Sequence, residues 1–166
     1  MANQNNFSEN LEDYLEIILD LQRTNKVARS KDIAERMGIQ RGSVTSMLKN
    51  LSTKGLIDYE PYGYVTLTDQ GETIAEEIER RHGIIKDFLS RVLMVDDEKA
   101  DGIACRMEHV VDRQTIDRLV NFIHFLDTCP KMGKDWLQAY VTFCKDGKPD
   151  KKTCDTCMEQ TLSSEK

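Results

Sequence analysis

From Leu11 onward the apolar positions recur at helical spacing. Leu11, Tyr14, Leu15, Ile18 and Leu21 fall on one side, and Asp13, Glu16 and Asp20 on the other. With Ser8 as N-cap, this predicts a helix to about Thr24. A second helix follows Ser30, turns Ile33, Ala34 and Met37 inward, and stops at Gly38. After the short turn Ile39-Gln40-Arg41-Gly42, a third helix carries Val44, Leu48 and Leu51 inward and ends at Gly55. Two β-rich runs, Leu56 to Glu60 and Tyr64 to Thr68, flank Pro61-Tyr62-Gly63 and read as a hairpin. Helix, helix, turn, helix and hairpin in this order describe a winged helix-turn-helix.

Beyond Thr68 the period stays helical. Ile74, Ile78, Ile85, Phe88, Leu89 and Val92 form one stripe. Ile116, Leu119, Val120, Phe122, Ile123, Phe125 and Leu126 then crowd apolar residues onto nearly every side of a further helix, which predicts burial against a second subunit as well as its own core. Trp136, Tyr140 and Phe143 predict a small helix in the tail. The fold class is mainly α, a winged-helix domain over residues 1–70 followed by a helical domain over 71–128 and a cysteine-containing extension over 129–166.

Charge changes this picture at one place. The chain of 166 residues carries a formal net charge of −6, which argues against a general polyanion binder. Residues 26–64 nevertheless hold seven basic and four acidic side chains, the net-positive member of the three stretches 1–25, 26–64 and 65–166. Gln40, Arg41, Ser43, Ser46 and Lys49 occupy the start and outer side of the third helix, in reach of base edges and phosphates. Arg29, Lys31 and the wing residue Tyr62 suit backbone contacts. No apolar run approaches the length that spans a bilayer, and the N-terminal residues lack the basic and apolar regions of a signal peptide, so the expectation is a cytoplasmic protein without a membrane partner. Its five cysteines are then thiols available for metal or redox work.

The chemistry concentrates at Cys105, Glu108 and His109. At i, i+3 and i+4 they share one helical face, opposite Ile103, Met107, Val110 and Val111. Thiol, carboxylate and imidazole together suit a divalent transition metal.

Asp13-Tyr14-Leu15-Glu16, His82 in Arg81-His82-Gly83, and Cys105-x-x-Glu108-His109, set around the Asp32-Ile33-Ala34-Glu35 and Ser43-Val44-Thr45 helices, resemble the DtxR/MntR family of metal-dependent transcriptional repressors from about Leu11 to Leu126. The resemblance implies a homodimer that binds double-stranded operator DNA and represses metal-uptake genes. It also implies metal ligands at Asp13, Glu16, His82, Cys105, Glu108 and His109, which tie the DNA-binding head to the dimerisation domain. Manganese-sensing members carry aspartate at the position of Asp13 and glutamate at that of Cys105; iron-sensing members carry methionine and cysteine. The chain combines one of each, so the implied cofactor is Fe2+ or Mn2+, with the thiolate favouring iron. Lys86 and Asp101 replace a glutamate and a histidine of the iron-type ancillary site. A third, SH3-like domain is not expected.

The resemblance does not reach Cys129, Cys144, Cys154 and Cys157. Four thiolates ending in C-x-x-C suit Zn2+ or an iron–sulfur cluster; a redox pair with two incidental cysteines is the other reading. A winged-helix regulator sensing redox or Fe–S status through this cluster is therefore the rival to metal activation. A metallohydrolase built on Cys105, Glu108 and His109 is the competing class; the chain lacks a further acid, base or glycine-rich loop to support it.

Overall fold

The computed structural model describes residues 9–25, 27–60, 63–128 and 134–148. The chain divides into two compact units, Met1–His82 and Gly83–Lys166.

The first unit opens with α1 (Glu9–Asn25), whose stripe Leu11, Tyr14, Leu15, Ile18 and Leu21 is buried as its spacing requires. Helix α2 (Ser30–Met37) ends where Gly38 takes the left-handed conformation, φ 66°, that a side chain disfavours. Helix α3 (Arg41–Thr53) turns Val44, Leu48 and Leu51 into the same core. Strands β1 (Ile57–Tyr59) and β2 (Val65–Leu67) pair antiparallel, Asp58 opposite Thr66. This is the winged helix-turn-helix read from the sequence.

Helix α4 (Asp69–Asp87) follows. Thr68 starts it, accepting the Gly71 N–H on its hydroxyl and donating that hydroxyl to the Gly55 carbonyl. Gly71 is required there, since a Cβ would lie 1.9 Å from the Leu56 carbonyl oxygen.

In the second unit α4 passes into a π turn, Phe88–Val92, closed by the Leu93 N–H on the Phe88 carbonyl. The apolar stripe predicts simple continuation; across the wider turn Ile85, Leu89 and Val92 are each buried. Helix α5 (Asp97–Met107) is capped by Asp96, which accepts from the N–H groups of Glu98 and Lys99. Helix α6 (Arg113–Thr128) is capped by Asp112, whose carboxyl is held below its usual range by the Thr115 N–H. Ala100, Ala104 and Ile116 join Ile85 and Leu89 in this unit's core. Helix α7 (Lys134–Asp146) forms where Trp136, Tyr140 and Phe143 predicted one. On α6, Ile116 alone is buried among the described residues, while Val120, Phe122 and Phe125 are 38%, 40% and 50% exposed.

Candidate functional site

In the first unit, α1 and α4 each bring one candidate ligand to a common point. Glu16 and His82 offer a carboxylate oxygen and an imidazole nitrogen within 4.8 Å of each other, both half-buried. Neither residue alone signals more than an acidic face or a core histidine. Asp13 stands one turn before Glu16 on α1, half-buried, and outside that 4.8 Å grouping.

In the second unit the three-residue constellation is split. Cys105 lies on α5 and is exposed. Glu108 caps the C-terminus of α5, its N–H on the Ala104 carbonyl, and its side chain is 0% exposed. His109 follows in the turn, nearly as buried, with Nε2 3.4 Å from the Glu108 carboxylate. The helical face predicted by i, i+3 and i+4 thus holds one solvent-facing thiol and two interior groups. The chain also turns after Met107, with the Val110 N–H on the Met107 carbonyl, so Val110 is 78% exposed rather than packed.

A carboxylate withdrawn from water is costly unless a positive charge or hydrogen-bond donors meet it. Carboxylates and imidazoles as donors suit Mn2+ or Fe2+, while the exposed Cys105 stands apart from the interior Glu108 and His109. The donors present therefore fit a divalent cation. At the ancillary positions Lys86 Nζ and Asp101 Oδ1 form an ion pair at 2.5 Å, and this carboxylate raises the Lys86 ammonium above its ordinary value.

A second feature of the first unit is a cavity of about 720 Å³ lined by Arg29, Lys31, Arg41, Lys49, Tyr59 and Tyr64 together with Ser30, Thr45 and Gly63. Four basic and no acidic side chains line it, the charge pattern of a phosphate-tracking groove. Gln40, Ser43 and Ser46 are exposed on or beside α3. Tyr62 lies outside the described residues. The wing aromatic that lines the groove is Tyr64, which the sequence reading passed over: the Arg29 guanidinium sits 5.1 Å above its ring and Nη2 donates to its hydroxyl at 3.4 Å. Basic residues beside paired tyrosines were the available signal.

Of the tail cysteines, Cys129, Cys154 and Cys157 lie outside the described residues, and Cys144 is exposed on α7. Among the described residues no helix is long and apolar enough to cross a membrane.

Residues 6–65 match the family profile "Iron dependent repressor, N-terminal DNA binding domain", and residues 68–137 match "Iron dependent repressor, metal binding and dimerisation domain". The chain belongs to the DtxR/MntR family. As a member it is a metal-dependent, DNA-binding transcriptional repressor and not an enzyme. It is 44% identical over 109 residues to the transcriptional regulator MntR of Escherichia coli O157:H7, covering 66% of this chain and 70% of that relative. It is 36% identical over 117 residues to an uncharacterised HTH-type transcriptional regulator of Methanocaldococcus jannaschii, covering 70% and 94%. Among solved structures, the manganese regulator SloR superposes with a TM-score of 0.63 at 30% identity, covering 75% of this chain. A manganese-dependent transcriptional repressor in complex with manganese gives 0.64 at 29%, covering 69%. The chain spans 58% and 53% of those two solved chains.

Proposed function

We propose that this DtxR/MntR member is a homodimeric repressor of metal-uptake genes, activated by ferrous iron or manganese through Asp13, Glu16, His82, Cys105, Glu108 and His109. The observation that carries the reading is the pairing of Glu16 with His82 across α1 and α4. The buried Glu108 beside His109 supports it from the second unit. We place the functional boundary between head and body near residue 70, where the wing ends, with the extension beginning after residue 128.

When bound, a divalent cation supplies the positive charge that lets several carboxylates and a thiolate converge. The protein's own part is positional. Glu16 and Asp13 ride on α1, which packs into the core of the DNA-binding unit, and Glu108 and His109 belong to the dimerisation domain. Holding these two sets together fixes the spacing of two recognition helices on successive major grooves. Gln40, Arg41, Ser43, Ser46 and Lys49 read the groove, and Arg29 and Lys31 grip phosphates. Asp13 favours manganese and Cys105 favours iron; the softer thiolate tips the reading to ferrous iron.

The test is fluorescence anisotropy on a labelled duplex selected from a random pool by the metal-loaded chain, titrated anaerobically in chelator, Mn2+ or Fe2+. Affinity should rise roughly 5- to 150-fold with metal, the usual range of allosteric coupling. Equal affinity in chelator and in both metals would falsify the reading.

A further inference from the structure

We propose that Gln22 is a positioning residue that couples α1 to the wing, so that the helix carrying Glu16 sets the groove in which Tyr64 stands. The proposal rests on the metal-activated reading above.

The wing is two strands of three residues, too short to hold its shape alone. Val65 and Leu67, two residues apart on β2, aim their N–H groups at the outer edge of the hairpin. Unsatisfied, that edge would be a row of open donors. The Val65 N–H goes to the Ala28 carbonyl at 2.9 Å, in an isolated antiparallel bridge. The Leu67 N–H goes to the Gln22 side-chain oxygen, also at 2.9 Å and partly buried. A glutamine of α1 thus takes the place of a missing third strand.

Both acceptors lead toward function. The bridge residue Ala28 precedes Arg29, whose guanidinium covers Tyr64, the residue before Val65. Gln22 lies less than two turns after Glu16 on one continuous helix. A helix is stiff along its axis, so a displacement of Glu16 is felt at Gln22. Within one unit there is then an unbroken line from candidate ligand to groove: Glu16, α1, Gln22, Leu67, β2, Tyr64. Apolar packing of Leu67 and α1 in the same core would hold the wing near its place without Gln22. It would not set the strand's register along the helix. The hydrogen bond does.

The variants are Gln22→Met, which keeps length and shape but has no acceptor of comparable strength, and Gln22→Glu, which restores one. Binding of the selected duplex is measured with and without Mn2+, and Mn2+ affinity is measured separately by electron paramagnetic resonance of the free ion. In Gln22→Met the metal-dependent gain in DNA affinity should fall about fivefold, the worth of one hydrogen bond, with Mn2+ affinity in the absence of DNA unchanged. Gln22→Glu should recover most of the gain. In the wild-type chain, hydrogen exchange at the Leu67 amide should slow on Mn2+ addition; this readout stands even if Gln22→Met folds poorly. A full gain in Gln22→Met, no recovery in Gln22→Glu, or Leu67 exchange indifferent to Mn2+ overturns the coupling alone. A wild-type chain with no gain in either Mn2+ or, anaerobically, Fe2+ overturns the repressor reading and the coupling with it.

Discussion

Glu108 is the one buried charged side chain among the described residues, and it sits at a helix end rather than in mid-helix. Its C-cap position adds an unfavourable interaction with the exposed carbonyls there, since helix C-termini favour cations. A carboxylate kept in such a place is better explained by a ligand role than by stability. Glu108→Gln retains the shape and removes the charge. We expect metal-stimulated DNA binding to fall at least tenfold, because loss of even outer partners of a metal ligand costs about 10- to 100-fold. Thermal denaturation in chelator should show a midpoint close to wild type, since the amide keeps the shape and an acceptor oxygen. A lowered midpoint with metal response intact would mark Glu108 as structural. At this scale the spacing Cys105-x-x-Glu108-His109 was legible in the chain. Its division into an exposed thiol and two interior groups was not, because that depends on how Ala104 and Ile116 pack, and neither pattern nor propensity encodes depth. Tyr64 was missed for a similar reason: its place follows from a bridge between residues 28 and 65, which no local signal announces.

The first three helices were legible as elements because each carries an apolar stripe, with Gly38 and Gly55 as stop signals near the ends of α2 and α3; the caps Asp96 and Asp112, which fix the starts of α5 and α6, emerge only in the structure. The π turn was not, since an inserted residue leaves the stripe apolar and alters only which carbonyl each N–H meets. Its polar face is held by Arg91, which donates to Asp87 on α4 and to Asp127 near the end of α6, the latter at 2.6 Å. The Arg91 guanidinium holds the Asp127 carboxyl below the usual aspartate range. The folded form therefore binds this proton less readily than the unfolded chain. Any stability it lends is present above the ordinary aspartate value near 3.9 and is lost as pH falls through the lower folded value. Denaturant midpoints of the wild-type chain and Asp127→Asn should differ modestly at neutral pH and converge in acid, modestly because both side chains are half-exposed. Curves that stay parallel down through that range would show the pair contributes nothing through its charge.

For the whole molecule, what matters is the second subunit. Helix α6 presents Val120, Phe122 and Phe125 to solvent in the single chain, and Phe122 makes an edge-on ring contact with Phe88, centroids 6.2 Å apart. An isolated subunit rarely leaves such a set of large apolar groups uncovered. Residues 68–137, which contain them, match the metal-binding and dimerisation profile. The apolar crowding along this segment predicts burial against a partner; which side chains stay outside its own core was not legible, because nearly every face is apolar and only packing selects Ile116. Phe125 is the best probe, being half-exposed and outside the unit's own core. Phe125→Asp should leave the helical circular dichroism spectrum and the chelator-state melting of the subunit close to wild type, yet shift sedimentation equilibrium from dimer to monomer. DNA binding should suffer far beyond one lost contact. Two linked recognition helices gain about 10²- to 10⁴-fold over one by effective concentration, and a monomer forfeits that gain whatever its metal state. A dimeric Phe125→Asp with normal DNA affinity would move the interface off this face of α6; a monomer that still binds DNA as tightly as the dimer would remove the need for paired half-sites.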